Sequence, residues 1–419
     1  MRSHRFPSTN WAGNVIFEAA RTFRPESVDS LRRVVEHSRR IRALGSGHSF
    51  SGIADTDHDL ISLTGLPRVL TIDSTNSTVT VDSGTTYTEL ARELHGAGFA
   101  LANMASISPI SIAGACATGT HGSGNGQRVL AASVAALQLV GSGGELVDIR
   151  RDVDGERFCG SVVALGALGI VTQLTLDVEP TYDMSQRVHV GVPLDEIQGN
   201  FDEVSGAGYS VSVFTDWHSD EASVWIKRRV GEPVSTWDAG RQARHSVHPI
   251  PGLSPALCTE QLGVVGPWLE RLPHFHPEAT SEAGHELQSE VFLPRDGAEQ
   301  AIRSLREIGE LFAPALLVCE IRTVRADDLW LSPAYGRDSL AIHCTWTRDA
   351  AVVRPAVAAL EERLLPLDPR PHWGKITTMQ PLTVIESYER AGDFERLMLE
   401  LDRTFKFRNG FVNSLFPLR

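Results

Sequence analysis

The chain has few cysteines and no excess of positive charge, and each shortage excludes a class of protein. Its five cysteines are scattered over 419 residues without paired spacing, so neither a disulfide framework nor a cysteine metal cage is expected. This usage favours a reduced, cytoplasmic setting. The formal charge of -13 opposes nucleic acids and anionic membranes, because both are bound mainly through clustered Lys and Arg. A neutral small molecule is compatible with that charge.

Long hydrophobic runs and metal-binding motifs are also missing. The most apolar window, residues 129–140, is about half as long as a membrane span and contains Ser133 and Gln138. The sequence therefore predicts no transmembrane helix and no membrane partner. The 15 histidines include no His-Glu-x-x-His motif and no clustered His and Cys spacing, so no metal site is expected.

The length of the chain indicates two domains, because a single hydrophobic core stops growing at about 250 to 300 residues. From Arg21 to about Glu179, helical and strand patterns alternate, which indicates a mixed α/β or α+β unit. After Pro180 the pattern changes to strands of the kind found in antiparallel sheets. The sequence therefore predicts an α+β protein whose second part is built on an antiparallel sheet.

Hydrophobic periodicity predicts the individual elements. Ser27 is expected to cap a helix that begins at Val28, and Thr86 with Glu89 forms a capping box for a helix that ends near Gly96. The other predictions are strands at residues 41–44, 78–82, 134–140, 170–176, 209–213, 224–226, 316–324 and 340–346, and a helix at residues 298–311.

A glycine-rich loop follows the strand at residues 41–44. Its sequence, Gly-Ser-Gly-His-Ser at residues 45–49, leaves backbone N–H groups bare enough to approach a phosphate. It is not the Gly-x-Gly-x-x-Gly dinucleotide motif, because Phe50 stands where the third glycine would be. Taken alone, this loop favours a simpler interpretation, which is a tight turn carrying a solvent-facing His48.

Two further segments strengthen the case for a large flat ligand. Residues 111–124 combine small residues, hydroxyls and glycines over fourteen positions, which lets backbone pack against an extended ligand. A glycine-rich surface turn is the weaker explanation, since such a turn rarely needs so many small residues. Residues 165–172 are apolar with glycines at the start of a strand, and either an adenine or simple packing explains them.

Together, these three segments resemble the vanillyl-alcohol oxidase type of FAD-linked flavoproteins. The similarity is greatest to bacterial alditol oxidases, and it extends from Asn10 to the segment Lys406–Phe411. The resemblance implies a two-domain FAD-binding fold of the PCMH type. It implies an FAD-binding domain at residues 1–179, a substrate or cap domain at 180–376, and a C-terminal segment at 377–419 that returns to the FAD domain.

The resemblance also implies that FAD is attached covalently through His48. An unperturbed imidazole, with a pKa of about 6.5, is largely neutral at cytoplasmic pH and can add to an activated flavin methyl group. Some relatives add a second link from a cysteine, but residues 103–110 contain none, so one link is expected. The cofactor-binding residues that the resemblance implies are Leu44, Gly45, Ser46, Gly47, His48, Ser49, Ser106, Ser111, Gly114, Thr118, Gly119, Thr120, His121 and Val171.

Two strands of the second part carry polar residues on one face. The period of two places Glu320 beside Arg322 on one strand, and His343 beside Thr345 on the next. From the strands alone, a solvated sheet face with a surface ion pair is the better explanation. The stiff segment Pro371–Lys375 nearby shifts the balance towards a site.

The resemblance to alditol oxidases implies that these residues form a polyol pocket beside the flavin. The implied substrate-binding residues are Ser106, Glu320, Arg322, His343, Thr345 and Lys375. A carboxylate beside an arginine offers an acceptor and a donor to adjacent hydroxyls. The implied catalytic roles are proton removal from the terminal hydroxyl by Lys375 and His343, with Arg322 nearby, and a grip on the neighbouring hydroxyl by Glu320.

The function expected on these grounds is oxidation of the terminal primary hydroxyl of alditols such as xylitol or sorbitol to the aldose, with oxygen reduced to hydrogen peroxide. The expected partners are a small polyol and molecular oxygen, and the chain is expected to act as a monomer. An aldonolactone-type sugar dehydrogenase with another electron acceptor is the alternative, since the resemblance implies that Ala105 faces the flavin, and alanine at that position is compatible with either. A flavin- or sugar-binding protein without turnover is a third hypothesis, opposed by Lys375 and His343.

Overall fold

The computed structural model of the protein describes residues 6–278 and 286–418. Its first part holds short strands and helices in three sheets. The strands are β1 (Arg21–Phe23), β2 (Ile41–Ala43), β3 (Asp59–Ile61), β4 (Leu70–Asp73), β5 (Thr78–Asp82), β6 (Phe99–Ala100), β7 (Val134–Val140), β8 (Leu146–Arg150), β9 (Ile170–Asp177) and β10 (Glu179–Pro180). The helices are α1 (Val28–His37), α2 (Tyr87–Gly96), α3 (Ile112–Ala117), α4 (Arg151–Asp154) and α5 (Glu156–Val162).

The first part contains one parallel and two antiparallel sheets. Strands β1, β3 and β2 pair in parallel in that order, and β10 pairs with β6. The larger sheet has the order β4-β5-β9-β7-β8 and is antiparallel throughout. Helix α1 begins after Ser27 and helix α2 after the capping box of Thr86 and Glu89, as the sequence predicts.

The second part is built on one large antiparallel sheet. Its strands are β11 (Asp183–Pro193), β12 (Ser210–Thr215), β13 (Glu221–Arg229), β14 (Arg241–Gln242), β15 (Gly266–Pro267), β16 (Leu287–Pro294), β17 (Leu316–Val324), β18 (Ser339–Trp346) and β19 (Arg370–Pro371). They run in the order β14-β11-β13-β12-β17-β18-β16-β19, with β15 paired to β11. The antiparallel sheet predicted for this part is confirmed.

Helices cover one face of this large sheet. They are α6 (Leu194–Gly199), α7 (Phe201–Ser205), α8 (Ala298–Arg306) and α9 (Ala350–Leu364). Apolar residues that alternate along the strands, among them Ile321, Ile342 and Trp346, pack there against helical residues such as Leu305 and Val357. The opposite face carries the polar residues of the same strands, so the sheet separates an apolar core from a polar surface.

The predicted helix at residues 298–311 is wrong in its length. Helix α8 ends at Arg306, and Gly309–Leu311 forms a separate 3-10 turn. Gly309 packs directly against the Trp217 carbonyl, where any side chain would collide with the backbone. Because glycine also weakens a helix interior, the α-helix stops before this contact.

A last group of helices returns to the first part of the chain. These helices are α10 (Pro381–Glu386), α11 (Ala391–Leu401) and α12 (Gly410–Leu415). The segment between α11 and α12 meets β2: the Ile41 N–H donates to the Lys406 carbonyl at 2.9 Å, and Phe407 packs in the core around α1. The Asn409 amide donates to the Ile53 carbonyl at 3.1 Å. No helix within the described ranges is both long and apolar enough to cross a membrane.

Candidate active site

A cavity of about 350 Å³ lies between the glycine loops of the first part and the polar face of the large sheet. The loops after β2 and around α3 form one side, and residues of β16, β17 and β18 form the other. The volume lies in the range of small-molecule sites. The predicted site residues, which lie far apart in the sequence, therefore meet around one space.

The two glycine loops are tied to each other at Ser46 and Ser111. The Ser111 N–H donates to the Ser46 hydroxyl at 3.2 Å, and the Ser46 N–H donates to the Ser111 hydroxyl at 3.4 Å. A side chain at Gly45 would collide with the Ser111 hydroxyl, and one at Gly114 would come within 2.8 Å of it. The glycines thus permit the close approach of two backbones at the cavity wall.

Almost every residue predicted to bind the cofactor lines this cavity. The lining includes Leu44, Gly45, Ser46, Gly47, His48, Ser49, Ser106, Ser111, Gly114, Thr118, Thr120, His121 and Val171. Gly119 does not line it: its backbone has a φ of +69°, and a side chain there would lie 2.8 Å from the Pro333 ring. Gly119 therefore shapes the loop through its conformation and not through the cavity surface.

His48 projects from the first glycine loop against Trp11. The two rings are stacked, with centroids 5.5 Å apart and planes inclined by 19°. Burial, assisted by the positive charge of Lys375, lowers the pKa of His48 to about 4. The imidazole is therefore neutral at physiological pH, which is the form that has a nucleophilic nitrogen. The simpler interpretation of a solvent-facing turn histidine does not hold.

Arg42 holds three segments around the glycine loops. Its buried guanidinium donates to the carbonyls of Leu165 at 2.6 Å, Gly166 at 2.8 Å and Phe407 at 2.8 Å, and also to that of Ile53. Burial lowers the pKa of Arg42 to about 10. One cation thus fixes the Leu165–Gly166 turn, the β2 loop and the returning C-terminal segment together.

One hydroxyl at the cavity has no hydrogen-bond partner among the described residues, which leaves room for a polar group of a ligand. Ser83 Oγ is buried, lines the cavity and has no hydrogen-bond partner among the described residues. A buried hydroxyl without a partner is costly, so a polar ligand group is its natural complement. With the neutral His48 and the glycine loops, the residues present fit an FAD molecule along this wall.

The opposite wall is formed by three neighbouring strands in register. Glu320 on β17 faces His343 on β18, and His343 faces Glu290 on β16. The next polar pair on the same face is Thr345 with Gln288. The predicted shared face of Glu320 with Arg322, and of His343 with Thr345, is confirmed. The face is buried at the cavity, so the alternative of a solvated sheet face is wrong.

Glu290 is a central member of this wall that the sequence reasoning missed. Its side chain is 2% exposed, and its Oε1 accepts from Arg322 at 2.6 Å and contacts His121 Nε2 at 2.9 Å. Its Oε2 lies 3.5 Å from His343 Nδ1. Burial raises the pKa of Glu290, but His121, Arg322 and His343 outweigh burial and hold it well below its ordinary value. Glu290 therefore stays ionised and anchors Arg322.

The carboxylate of Glu320 is shared between two partners. Its Oε2 lies 3.5 Å from Arg322 Nε, and its Oε1 lies 2.8 Å from His274 Nε2. Burial acts to raise the pKa of Glu320, whereas Arg322 and His274 hold it far below its ordinary value. Arg322 Nη1 also donates to Ser106 Oγ at 3.4 Å, which links this wall to the loop before α3.

Lys375 and His343 lie at the junction of the two walls. The Lys375 ammonium donates to Gln288 Oε1 and lies 5.1 Å from the centre of the Phe50 ring. The preceding carbonyl, that of Gly374, accepts from the Phe50 N–H at 2.7 Å, which joins this segment to the His48 loop. Burial, followed by the charge of Lys375, lowers the pKa of His343, although Glu290 opposes this. The His343 imidazole, a neutral base, thus lies near the Lys375 cation.

Several residues of the site were not predicted, and two of them carried a usable signal. Gln288 and Glu290 alternate along β16 as Glu320 and Arg322 do along β17, so the same period-two argument would have found them. His274 belongs to an irregular segment and Trp11 to an N-terminal turn. Neither has a periodicity that points to the cavity.

Two family descriptions match the sequence. Residues 19–150 match the FAD binding domain, and residues 286–415 match D-arabinono-1,4-lactone oxidase. The first match includes both His48 and Ser111, and the second includes Glu290, Glu320 and Lys375. The two walls of the cavity thus come from segments with separate family matches.

Curated proteins match over nearly the whole chain. An alditol oxidase from Streptomyces sp. (strain IKD472 / FERM P-14339) is 46% identical over 412 residues, covering 97% of this chain and 98% of that protein. An L-gulono-1,4-lactone dehydrogenase from Mycobacterium tuberculosis is 29% identical over 435 residues, with 97% and 98% covered. An L-gulonolactone oxidase from Scyliorhinus torazame is 26% identical over 440 residues, with 97% of each chain covered.

A solved structure shows the same fold. Cholesterol oxidase from B. sterolicum is similar with a TM-score of 0.78 over 100% of this chain and 99% of that chain, at 14% sequence identity. At this low sequence identity, the similarity shows only that the two proteins share a fold. The predicted fold class, a two-domain α+β FAD-binding fold with an antiparallel sheet in its second part, is confirmed.

Proposed function

The chain belongs to the alditol oxidase family of FAD-linked flavoproteins, and we propose that it oxidises the terminal primary hydroxyl of alditols such as xylitol and sorbitol to the aldose. It is an FAD-dependent oxidoreductase. The observation that carries the polyol proposal is the buried wall of Glu320, Arg322, His343 and Lys375 facing the glycine loops. Such a wall offers donors and acceptors along the length of a chain of hydroxyls.

Each residue of the wall has a role that its contacts support. Lys375 and His343, with Arg322 nearby, help to remove the proton from the terminal hydroxyl, since a neutral imidazole accepts a proton and the cations stabilise a developing alkoxide. Glu320, held ionised, accepts from the neighbouring hydroxyl. Ser106 and Thr345 complete the pocket.

The cofactor would lie along the glycine loops, with Ser83 and Ser111 near its polar groups and His48 bonded covalently to it. When bound, FAD would supply the hydride acceptor for the carbinol carbon and, through its reoxidation by oxygen, the route to hydrogen peroxide. The neutral state of His48 supports the covalent bond, because an unprotonated nitrogen is needed to form it. The absence of cysteine at residues 103–110 supports a single link.

The organisation of the chain is proposed on the same basis. Residues 1–179 would form the FAD-binding domain, residues 180–376 would form the substrate or cap domain, and residues 377–419 would be a C-terminal segment that returns to the FAD domain. The contact of Lys406 with Ile41 supports this last assignment. None of the five cysteines, all of which lie in the described ranges, forms a disulfide, which supports a reduced, cytoplasmic setting. That the protein acts as a monomer stays a prediction.

Oxygen consumption tests the proposed reaction. The purified flavoprotein is mixed with xylitol or sorbitol in an oxygen electrode, and peroxide is assayed in parallel. Consumption of oxygen with matching peroxide supports the oxidase. Flavin that bleaches with L-gulono-1,4-lactone but with neither alditol would instead favour the lactone dehydrogenase, and flavin that bleaches with none of them would favour a binding protein.

A separate experiment tests the link to His48. The native protein is precipitated with acid, and the pellet is compared with that of His48→Ala. The native pellet should stay yellow, whereas the variant should release its flavin into the supernatant. A colourless native pellet would remove the covalent link and leave the oxidase proposal standing.

A further inference from the structure

His274 lines the cavity beside Glu320 and contacts one oxygen of its carboxylate, whereas Arg322 Nε lies near the other. Its Nε2 is 2.8 Å from Glu320 Oε1, and its side chain is almost completely buried. The ring packs edge-on against Phe214 and Trp225, with centroids 5.5 Å and 5.4 Å away. These aromatic contacts fix the plane of the ring, so the nitrogen that faces Glu320 has a defined direction.

The protonation state of His274 follows from its neighbours. Burial, assisted by Lys227, lowers the pKa of His274 to about 4, so the ring is neutral and carries one proton. An ionised Glu320 only accepts hydrogen bonds, which places that proton on Nε2. The other nitrogen, Nδ1, is buried and has no hydrogen-bond partner among the described residues. Nε2 also lies 3.2 Å from the Ser212 hydroxyl, but Glu320 Oε1 at 2.8 Å is the nearer and charged acceptor, so His274 donates to this oxygen of Glu320.

Hydrogen bonds to neighbouring residues fix the segment that carries His274. The buried Lys227 ammonium donates to the Leu272 carbonyl and, at 3.0 Å, to the Pro273 carbonyl. The Thr259 hydroxyl donates to the Pro273 carbonyl at 2.8 Å. On the cavity side, the His274 N–H donates to the Ser106 carbonyl at 3.0 Å. One short segment thus joins the two residues proposed to touch substrate, Ser106 and Glu320.

We propose that His274 is a positioning residue that fixes the Glu320 carboxylate and thereby makes the enzyme selective for substrates with a hydroxyl beside the reacting carbon. The proposal rests on the alditol oxidase function proposed above. His274 holds Oε1, which leaves Oε2, 3.5 Å from Arg322 Nε, to accept from the substrate. Without that donor, Glu320 can turn, and its grip on the neighbouring hydroxyl weakens.

The test compares two substrates in three variants. Anaerobic flavin reduction is followed by stopped flow with xylitol and with its 2-deoxy analogue, which lacks the hydroxyl that Glu320 grips. His274→Leu removes the donor, His274→Gln keeps an amide N–H that can reach Glu320, and His248→Leu is a matched control. His248 contacts the same segment, with its ring 5.6 Å from that of Phe275, but does not line the cavity.

We expect His274→Leu to lose about 10- to 100-fold in the second-order reduction rate with xylitol and little with the deoxy analogue. The ratio of the reduction rate with xylitol to that with the deoxy analogue should therefore fall in His274→Leu. It should recover in His274→Gln and stay unchanged in His248→Leu. An equal loss with both substrates would mean that His274 is only structural and would overturn the inference. Should His274→Leu fail to bind FAD, His274→Asn, whose shorter amide cannot reach Glu320, takes its place. If the native flavin is reduced by neither polyol, the proposed function itself is wrong.

Discussion

Replacing Glu290 by glutamine removes one negative charge from the centre of the buried wall while nearly preserving the shape of the side chain. In the native protein this carboxylate contacts Arg322 at 2.6 Å, His121 at 2.9 Å and His343 at 3.5 Å. After the change, Arg322 still has the Glu320 carboxylate 3.5 Å from its Nε. The buried Arg322 cation thus loses a charged partner at 2.6 Å.

The expected loss of stability follows from that geometry. Removing one partner of a buried ion pair costs about 3 to 5 kcal/mol, because the remaining charge stays out of water. Glutamine keeps one hydrogen-bond acceptor, so we expect a loss near the lower end, about 3 kcal/mol. The Michaelis constant for xylitol should rise about tenfold, since Arg322 is less firmly held beside the substrate.

Urea unfolding, followed by tryptophan fluorescence, measures the loss of stability. Steady-state oxygen consumption measures the Michaelis constant for xylitol. Asp202→Asn is the matched control: it also removes a carboxylate from an arginine, Arg295 at 2.7 Å, but the Asp202 side chain is 86% exposed. An exposed pair contributes only about 0 to 1 kcal/mol. Equal unfolding midpoints for the two variants would refute the assignment of Glu290 as the buried anchor of Arg322.

Three other outcomes follow from contacts described above. Lys375→Met should slow flavin reduction by xylitol at least about 100-fold while FAD stays bound, and an unchanged stopped-flow rate would exclude its role in proton removal. Because the pKa of His48 is lowered to about 4, attachment of FAD to apoprotein should be independent of pH between about 6 and 8; a midpoint near 6.5, seen as acid-stable colour against pH, would contradict this. Arg42→Met removes one hydrogen-bond donor from four carbonyls, of which that of Ile53 keeps the Asn409 amide, and should lose about 3 kcal/mol or more in urea unfolding, whereas Arg24→Met, at an exposed arginine, should lose less than about 1 kcal/mol.

The faces of the strands were predictable, since side chains alternate with a period of two whatever the sheet around them. That rule placed Glu320 with Arg322 and His343 with Thr345 correctly. It could not reveal whether the face is wet or buried, because burial depends on the glycine loops packing against it from residues far away in the sequence. The resemblance to a family predicted that this face lines a substrate pocket, and the cavity geometry agrees with that prediction.

Residues outside regular elements escaped prediction for a physical reason. His274 reaches Glu320 because Lys227 and Thr259 hold the carbonyls of its segment, and such contacts leave no periodic pattern. Helix α8 was predicted too long for a related reason: the close approach of Gly309 to Trp217 is a tertiary contact that the local sequence does not encode. Local rules gave the elements, whereas long-range contacts determine how several of them end.

The hydrogen bonds of Ile41 and Arg42 to residues 406 and 407 constrain the order of events during biosynthesis. As the ribosome extends the nascent chain, the β2 strand emerges some 365 residues before its partner at Phe407. Until residues 406 and 407 have been synthesised, the strand that precedes the His48 loop lacks its hydrogen bonds to them, whatever the concentration of free flavin. Maturation of the holoprotein is therefore expected to require that residues 406 and 407 have been synthesised and have paired with β2.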